Sequence, residues 1–339
     1  MGMRARPKAK RSMRGSPRVP LLGTAARLPD FIEPELATLV DAPPSGAGWL
    51  HEMKYDGYRG QLQFNHGKVR FLTRNGLDWT NRFHALVSAA ASIRASTAVI
   101  DGEAVVMKTS GHSDFGLLQQ ALAEGRAGLV SFYAFDLLHL EGRDLRYIGL
   151  EERKRLLKDL IGGHEKIKFS DHIVGDAAPF YDKACALRLE GIVSKKCGSP
   201  YISGRSRDWL KSKCTYRQEF VIGGWRPSTA SGKTIGSLLM GYYDDEGTLH
   251  FAGKVGTGID DKTGRELTAR LEAIERDSMA FAKVPAEFRR TSRWVEPKQV
   301  AEIEFTGWTH DNYIRHGSFK GLREDKKARD VRREQERAA

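Results

Sequence analysis

The sequence has no apolar run long enough to cross a membrane as a helix, and it begins without the apolar core of a secretory signal. We therefore expect no membrane function. Cysteine is also scarce: Cys185, Cys197 and Cys214 are the only three, and their spacing matches neither a metal-ligand motif nor an even-numbered disulfide framework. This scarcity predicts reduced cysteines in an intracellular protein.

Acidic residues are fewer than basic ones. The 339 residues hold 55 lysines and arginines against 43 aspartates and glutamates, which gives a formal net charge of +12. An excess of this size predicts a polyanionic partner, and without a membrane segment the expected polyanion is nucleic acid. Residues 1–27 contain basic side chains and no acidic one. We predict a disordered basic arm there, because the stretch cannot bury enough apolar surface to fold alone.

Residues 28–215 alternate short apolar runs with turn signals and helical periodicity. Two strand-like runs flank Asn65-His66-Gly67 and predict a β-hairpin, since these residue types suit a tight turn. Helices are expected over Phe115–Ala123 and Leu150–Ile161, and a turn between two strands at Asp101-Gly102-Glu103. Because strands and helices do not alternate with regular βαβ spacing, the pattern indicates a mixed α+β domain.

Residues 216–326 have a different character. Short apolar strands separated by turn residues, with one helical stretch among them, predict a small all-β barrel of the oligonucleotide-binding (OB) type. Residues 327–339 are highly charged and are expected to form a frayed helix or tail. The expected order is therefore basic arm, α+β domain, barrel and charged tail.

One lysine stands out in the run His51-Glu52-Met53-Lys54-Tyr55-Asp56-Gly57-Tyr58-Arg59, where carboxylates flank it on both sides. A lysine amine attacks phosphorus or carbonyl centres only when deprotonated, so a nucleophilic Lys54 needs burial, a neighbouring cation or a metal to lower its pKa. Taken alone, the run fits a strand that enters a turn at Asp56-Gly57 better than it fits a nucleophile. The clusters that follow favour the nucleophile.

Two later clusters bring further charge. Glu190 precedes a short apolar run and then Lys195-Lys196, which predicts a sheet edge where a phosphate or metal site begins. Lys211 and Lys213 alternate within residues 209–213, so on a strand their ammonium groups point to one face and can converge on a polyphosphate. An exposed basic strand is the alternative interpretation of this second cluster.

The clusters follow a fixed order along the chain, and that order resembles the motif set of covalent nucleotidyltransferases. The motifs are Lys54-Tyr55-Asp56-Gly57-Tyr58-Arg59, Asp101-Gly102-Glu103, Tyr133-Ala134-Phe135-Asp136-Leu137-Leu138, Glu190-Gly191-Ile192-Val193-Ser194-Lys195 and Trp209-Leu210-Lys211-Ser212-Lys213. Within that superfamily the chain is similar to ATP-dependent DNA ligases, especially the ligase module of bacterial non-homologous end-joining enzymes. The resemblance implies an α+β nucleotidyltransferase (adenylation) domain over residues 28–215, followed by a small all-β OB-fold barrel domain over residues 216–326.

The resemblance also implies a chemistry. Lys54 would attack the α-phosphate of ATP, expel pyrophosphate and become a lysyl-AMP phosphoramidate. Glu52 would accept a hydrogen bond from the adenine amino group, and Phe135 would stack on the adenine ring. Arg59 and Arg74 would hold the ribose or the phosphate of the nick.

Two further sets of residues complete the implied adenylation site. Glu103 and Glu190 would orient the sugar and bind a divalent metal, for which Mg²⁺ is expected and Mn²⁺ is an alternative. Lys211 and Lys213 would neutralise charge that develops on the α-phosphate, and Lys195 would assist nearby.

The last motif of the family matches Arg323, Asp325 and Lys326. These residues would orient pyrophosphate only when the barrel closes over ATP. Because the lysyl-AMP must then face DNA, closure has to reverse, and a hinge is expected near residues 214–218.

The implied substrate is nicked duplex DNA, sealed by a monomer in the bacterial cytoplasm or nucleoid, with a Ku-type end-joining protein as a candidate partner. No separate DNA-binding domain precedes the adenylation domain in this sequence, so affinity for the nick is expected to fall steeply with salt. Three alternatives stay open at this point: an RNA ligase, a capping-type guanylyltransferase, and a non-catalytic nucleic-acid-binding module.

Overall fold

A computed structural model of the chain describes residues 22–109, 111–187, 189–214, 216–228 and 234–334. Most of the predicted basic arm lies outside these residues, as do the last five residues of the predicted tail. Within the described ranges, no helix is both long and apolar enough to cross a membrane.

The first domain contains strands and helices in irregular alternation. Its strands are β1 (Thr24–Ala25), β2 (Glu35–Leu39), β3 (Trp49–Met53), β4 (Tyr58–Asn65), β5 (Lys68–Thr73), β6 (Thr97–Val105), β7 (Ser131–Leu140), β8 (Arg143–Asp144), β9 (Ile167–Phe169), β10 (His172–Val174), β11 (Gly191–Lys196) and β12 (Gly204–Lys213). Its helices are α1 (His84–Ala90), α2 (Phe115–Ala123), α3 (Leu150–Ile161) and α4 (Ala178–Ala186), with a 3₁₀ turn at Ala127–Leu129. The α+β class is confirmed.

The second domain is rich in strands. These are β13 (Tyr216–Pro227), β14 (Ile235–Tyr243), β15 (Leu249–Val255), β16 (Glu275–Arg276), β17 (Arg293–Val295), β18 (Val300–Phe305), β19 (Gly307–Trp308), β20 (Ile314–Arg315) and β21 (Ser318–Leu322). Its helices are α5 (Asp261–Glu272) and α6 (Ala286–Arg289), with a 3₁₀ turn at Ala328–Asp330.

Two sheets build the first domain and face each other. One has the order β1-β8-β7-β6-β4-β5, with β9 beside β7, and the other has the order β10-β3-β11-β12-β2. Val99 and Leu138 of the first sheet pack against Trp209 of the second and against Tyr201. The opposite face of the first sheet packs against residues of α1, α2 and α3 in the main core. Residues at the ends of the packed strands are thereby brought to one cleft.

The predicted hairpin is confirmed. β4 and β5 pair from Asn65 opposite Lys68, and His66 and Gly67 join them with φ of 46° and 84°. Positive φ at both positions is the turn geometry that matches the twist of paired strands.

The predicted turn at Asp101-Gly102-Glu103 is wrong, because β6 continues through it, with a register shift against β7 between Asp101 and Gly102. Gly102 serves a different purpose: a side chain there would overlap the ring of Phe132 on β7. Glycine permits this close approach, so the acidic residues on either side lie on a strand and not at a loop tip.

The predicted sheet edge at Lys195-Lys196 is also wrong. β11 is an interior strand, paired with β3 on one side and β12 on the other. Lys195 is buried, and its charge faces that of Glu52, which explains how a lysine can occupy a central strand.

The second domain forms the predicted OB barrel. β13 pairs with β14, β14 with β15, β13 with β18, and β18 with β21. A parallel bridge between Thr257 and Ser318 closes the circle, and α5 lies between the third and fourth barrel strands. The closing strand β21 falls in a glycine-punctuated basic segment that the sequence did not mark as a strand.

Three boundary predictions are corrected by the packing. Thr24–Ala25 pairs with β8, so residues 22–27 belong to the first domain and not to the arm. The Val331 side chain is buried, and its carbonyl accepts from the Tyr243 amide at 2.9 Å. Residues 327–334 are therefore part of the fold and not a frayed tail. β13 begins at Tyr216, so residues 216–218 of the predicted hinge lie in a strand.

The prediction that every cysteine is reduced is wrong for two of them. A disulfide joins Cys185 of α4 to Cys214 after β12, while Cys197 is free. The pairing has no sequence signature, because it arises where α4 packs against the sheet.

Candidate active site

A cavity of about 700 Å³ opens between the first domain and the barrel. It is lined by every predicted site residue except one. These are Glu52, Lys54, Arg59, Arg74, Glu103, Phe135, Glu190, Lys195, Lys211, Lys213, Arg323 and Lys326. Asp325 does not line the cavity, because its buried carboxylate binds the Arg323 guanidinium.

Lys54 lies where β3 ends and the chain turns into the cavity. Its backbone amide donates to the Gly191 carbonyl at 3.0 Å, and its Nζ pairs with Glu190 Oε1. Gly191 has φ of 144°, and a side chain there would overlap the Ser212 carbonyl. Glycine therefore lets β11 and β12 approach closely enough to bring Glu190 to the lysine.

The electrostatic surroundings of Lys54 oppose the expected loss of its proton. Burial by itself lowers the pKa of Lys54, but Glu190, Glu103 and Asp56 together raise the pKa above its ordinary value. Without ligands the amine is thus held as ammonium. A group that offsets the nearby carboxylates is required before the lysine can act as a nucleophile.

Glu103 is the carboxylate best placed to receive such a group. It makes no ion pair or hydrogen bond with any residue that the structure describes, and burial raises its pKa to about 8. Together with Glu190 it forms a pair of acids; no cluster of three potential metal ligands occurs in the described ranges. Mg²⁺ commonly takes one or two carboxylates and completes its shell with substrate phosphates and water, so the pair fits this ion.

An acidic and aromatic pocket lies deeper in the cavity. The Glu52 side chain is only 3% exposed, and its Oε1 lies 3.0 Å from Lys195 Nζ. That Nζ lies 4.5 Å from the Phe135 ring centre and 4.1 Å from that of Trp209. Burial lowers the pKa of Lys195 to about 8, against the opposing effect of Glu52.

Three residues behind this pocket, none of them in its lining, were not found from sequence. Lys154 Nζ lies 2.7 Å from Glu52 Oε1, Ser170 Oγ donates to Glu52 Oε2 at 3.0 Å, and Arg153 pairs with Asp136 at 2.8 Å. The signal was available in α3, because Arg153 and Lys154 share their helix face with Leu150, Leu157 and Ile161. Basic residues at such positions indicate buried partners.

The two predicted arginines, Arg59 and Arg74, differ in the number of protein groups that bind their guanidinium. Arg59 makes a bidentate pair with Asp101 and also donates to the Glu35 carbonyl at 2.6 Å. The Arg74 side chain has no hydrogen bond or ion pair with any described residue, although it is half-buried. Of the two, Arg74 is the guanidinium available to an incoming anion.

Lys211 and Lys213 converge as the strand period predicts. Both ammonium groups bind the carboxylate of Glu334, at 2.5 and 2.7 Å. Burial lowers the pKa of Lys211 to about 8 despite this partner. The Glu334 carboxylate therefore occupies the position at which we expect the α-phosphate of ATP.

Two family models match this chain. The ATP dependent DNA ligase domain matches residues 34–213, and the ATP dependent DNA ligase C terminal region matches residues 231–326. The chain belongs to the ATP-dependent DNA ligases. The family uses ATP and Mg²⁺, and both matching models are those of DNA ligases and not of an RNA ligase, a guanylyltransferase or a binding module.

Several relatives of the ligase carry the name multifunctional non-homologous end joining protein LigD. The Pseudomonas aeruginosa protein is 42% identical over 335 residues, which cover 97% of this chain and 39% of the relative. The Mycobacterium tuberculosis protein, named a multifunctional non-homologous end joining DNA repair protein, is 36% identical over 90% of this chain and 40% of its own. The ligase thus spans about two fifths of these relatives.

A solved structure supports the same relationship. Mycobacterial DNA ligase D complexed with ATP and MES is 35% identical to the ligase, with a TM-score of 0.62, over 88% of this chain and 98% of that one. The likeness extends over both domains, so the barrel and its connection belong to the shared architecture.

The barrel of the ligase is docked on the first domain. Asn75 Nδ2 donates to the Asp325 carbonyl at 2.6 Å, and Gln119 Nε2 donates to the Leu322 carbonyl at 2.5 Å. The Arg323 guanidinium lies 4.8 Å from the Phe115 ring centre. These contacts hold the terminal motif beside the cavity.

Proposed function

We propose that the ligase seals nicks in duplex DNA through an AMP adduct on Lys54, and that it acts in double-strand break end joining. The observation that carries this proposal is the convergence, in one cavity, of Lys54, two metal-competent carboxylates and a pair of facing lysines. The residue roles below are part of the proposal.

In the first step the Lys54 amine attacks the α-phosphorus of ATP. A P–N bond forms, the bond from the α-phosphorus to the bridging oxygen breaks, and pyrophosphate leaves with that electron pair. The Lys54 ammonium first releases one proton to solvent, once the metal and the nucleotide offset the nearby carboxylates. The second proton, lost as the P–N bond forms, passes to Glu190, which contacts Lys54 Nζ. Lys211 and Lys213 hold the α-phosphate once Glu334 has moved away, so that charge is neutralised where it develops.

Glu103 and Glu190 would hold Mg²⁺ together with the phosphates of ATP. A divalent ion there offsets the carboxylates that keep Lys54 protonated and withdraws charge from the phosphate. Mn²⁺ takes the same oxygen ligands and remains an alternative.

The nucleotide base occupies the acidic and aromatic pocket. Phe135 stacks on adenine, and Glu52 accepts from its amino group, which places the α-phosphate toward Lys54. Lys195 lies over the same aromatic rings and assists from that side. Arg59 lines the ribose side of the cavity, where its pairing with Asp101 fixes its orientation.

In the second step a 5′-phosphate oxygen of the nick attacks the AMP phosphorus, the P–N bond breaks and Lys54 regains a proton. In the third step the 3′-hydroxyl attacks the activated 5′-phosphate and AMP leaves. Arg74 is assigned to the nick phosphate, because its guanidinium has no described protein partner. Arg323 and Lys326 orient pyrophosphate during the first step, and Asp325 positions Arg323.

The cellular setting of the proposal comes from the relatives. Their names place them in non-homologous end joining, so we propose a Ku-type end-joining protein as partner and a monomer in the bacterial cytoplasm or nucleoid. The net charge of +12 suits a DNA substrate.

A sealing assay tests the proposal. A duplex with one 5′-labelled nick is incubated with the ligase, ATP and Mg²⁺, and we expect a joined strand on a denaturing gel. GTP or a nicked RNA duplex should give at most a few per cent of that product. Joining by Lys54→Ala at the wild-type rate would contradict the assigned chemistry, and joining of RNA alone would contradict the substrate.

A further inference from the structure

Lys154 is a charged side chain buried behind the nucleotide pocket. It lies on α3 with only 2% of its side chain exposed, and its Nζ contacts Glu52 Oε1 at 2.7 Å and the Ser170 carbonyl at 3.0 Å. The Phe169 ring centre lies 4.5 Å away. Burial of an ammonium costs free energy unless fixed partners compensate its charge. The Glu52 carboxylate is the charged partner that compensates Lys154.

The two oxygens of Glu52 are not equivalent. Oε1 faces both Lys154 and Lys195, whereas among the described residues Oε2 accepts only the Ser170 hydroxyl, at 3.0 Å. A carboxylate has about four acceptor positions, so one position on Oε2 remains open. Glu52 itself lines the cavity, and the open position suits an N–H donor from the nucleotide.

The two lysines on Oε1 have different positions. Lys195 lines the cavity and lies over the Phe135 and Trp209 rings, so it touches a bound base. Lys154 and Ser170 are absent from the lining and reach the nucleotide only through Glu52.

We propose that Lys154, with Ser170, is a positioning residue that holds the Glu52 carboxylate ionised and turned so that Oε2 selects an amino-bearing purine. The inference rests on the proposed function, because it assigns the deep pocket to the base. Without Lys154, the carboxylate is free to rotate toward Lys195, and its open acceptor position no longer faces the base. The loss should fall on base selectivity and not on the chemical step.

The test compares self-adenylation by ATP with self-transfer from purine riboside triphosphate, which lacks the amino group. We expect the wild type to favour ATP about 10- to 100-fold in kcat/KM, as a hydrogen bond to a charged acceptor allows. In Lys154→Met the preference should fall to within about 3-fold, through a higher KM for ATP and a largely unchanged kcat. Lys158→Met is the matched control, because Lys158 is exposed on the same helix and lies 5.4 Å from the same Phe169 ring.

A double-mutant cycle separates positioning from a general structural effect. In a Glu52→Gln background, Lys154→Met should change the selectivity no further. If Lys154→Met lowers kcat/KM for both nucleotides by one common factor, the inference is overturned and the residue is structural only.

If Lys154→Met does not fold, Ser170→Ala provides a second test of the inference. This smaller change removes the one donor on Oε2 and should reduce the preference for ATP about 3- to 10-fold; unchanged selectivity would overturn the inference. A wild type that transfers neither nucleotide to itself would instead overturn the proposed function, so the two failures are distinguishable.

Discussion

Lys54 has acids for neighbours, and this decides how it becomes reactive. Glu190 contacts its ammonium directly, and Glu103 and Asp56 add to the negative field that raises the pKa of the lysine, against the effect of burial. Burial alone therefore does not produce a free amine. The reactivity of the residue depends on neutralising the surrounding carboxylates, which links nucleophile activation to metal and nucleotide binding.

Glu103 makes the stability of the metal-free protein depend on pH. Burial raises its pKa from 4.5 to about 8, so in that window the folded state keeps a proton that the unfolded state has lost. Stability therefore falls as pH rises from about 5 to 8. Glu103→Gln should remove the contribution of Glu103 to this loss of unfolding free energy. Each pKa unit by which Glu103 is raised in the folded protein corresponds to about 1.4 kcal/mol.

Urea unfolding in EDTA at pH 5 and pH 8 measures this difference. Glu165→Gln is the control, because Glu165 is exposed and should leave the wild-type pH dependence unchanged. An equal fall in stability between the two pH values for Glu103→Gln and wild type would contradict the account of Glu103.

The convergence of Lys54 with Glu103 and Glu190 in one cavity could be predicted from residue type and order. For Lys154, its place on the apolar face of α3 indicates a buried partner, but the sequence does not say which residue that partner is. Its partner Glu52 lies 102 residues away in sequence. Only the packing of α3 against the sheet brings the two charges together.

Among the secondary-structure elements, β12 and the terminal segment 331–334 oppose each other across the cavity. The segment is held by backbone bonds, from the Tyr243 amide to the Val331 carbonyl at 2.9 Å and from the Glu334 amide to Gln218 at 3.0 Å. Burial alone raises the pKa of Glu334, but Lys211 and Lys213 lower it to about 2. Its carboxylate is thus ionised at any working pH.

Glu334→Gln should make ATP binding tighter, because the nucleotide then displaces an amide and not a carboxylate from the two lysines. We expect the KM for ATP in self-adenylation to fall roughly 3- to 10-fold, equivalent to about 1 kcal/mol. Glu266→Gln, at an exposed position on α5, serves as control. A KM that stays equal to that of the wild type would show that Glu334 does not compete with ATP.

The Cys185–Cys214 disulfide ties α4 to the residue that directly follows β12. Alkylation without reductant should modify one cysteine, and alkylation after reduction and unfolding should modify three, as counted by mass spectrometry. Reduction should also lower the free energy of unfolding by about 3 kcal/mol. In Cys197→Ser, no cysteine should be alkylated without reductant. Alkylation of all three cysteines in the wild type without reductant would show that the disulfide does not form.

The local elements could be predicted where their signal is local. The hairpin at His66-Gly67 and helices α2 and α3 follow from turn chemistry and periodicity within short windows. β21 and the unbroken course of β6 could not, because each depends on a partner elsewhere. Gly102 is needed for the Phe132 ring, and Ser318 closes the barrel against Thr257.

For the whole molecule, closure of the barrel is the central conformational feature. Arg323 bridges the domains: its guanidinium pairs with Asp325 and Glu302 at 2.9 and 2.6 Å and lies over the Phe115 ring. β12 ends at Lys213 and β13 begins at Tyr216, so the connection between the domains is short. We propose that the docked barrel covers the site during adenylation and that the same contacts break before DNA reaches the lysyl-AMP.

Asp325→Ala should impair self-adenylation at least 10-fold while slowing the sealing of pre-adenylated nicked DNA by less than about 3-fold. The reason is that Asp325 holds Arg323, which the closed state uses and the DNA-bound state does not. Asp277→Ala, at an exposed position of the barrel domain, controls for general damage. Equal losses in the two assays would contradict the closure model.

The most direct measurement of the central claim is the position of the AMP group after the ligase has reacted with ATP and Mg²⁺ alone. We predict that proteolysis and mass spectrometry place one AMP on Lys54, that Lys54→Ala carries none, and that Lys68→Ala, at the exposed hairpin, is labelled like the wild type. AMP on another residue, or equal labelling of Lys54→Ala and wild type, would contradict the claim that Lys54 is the nucleophile.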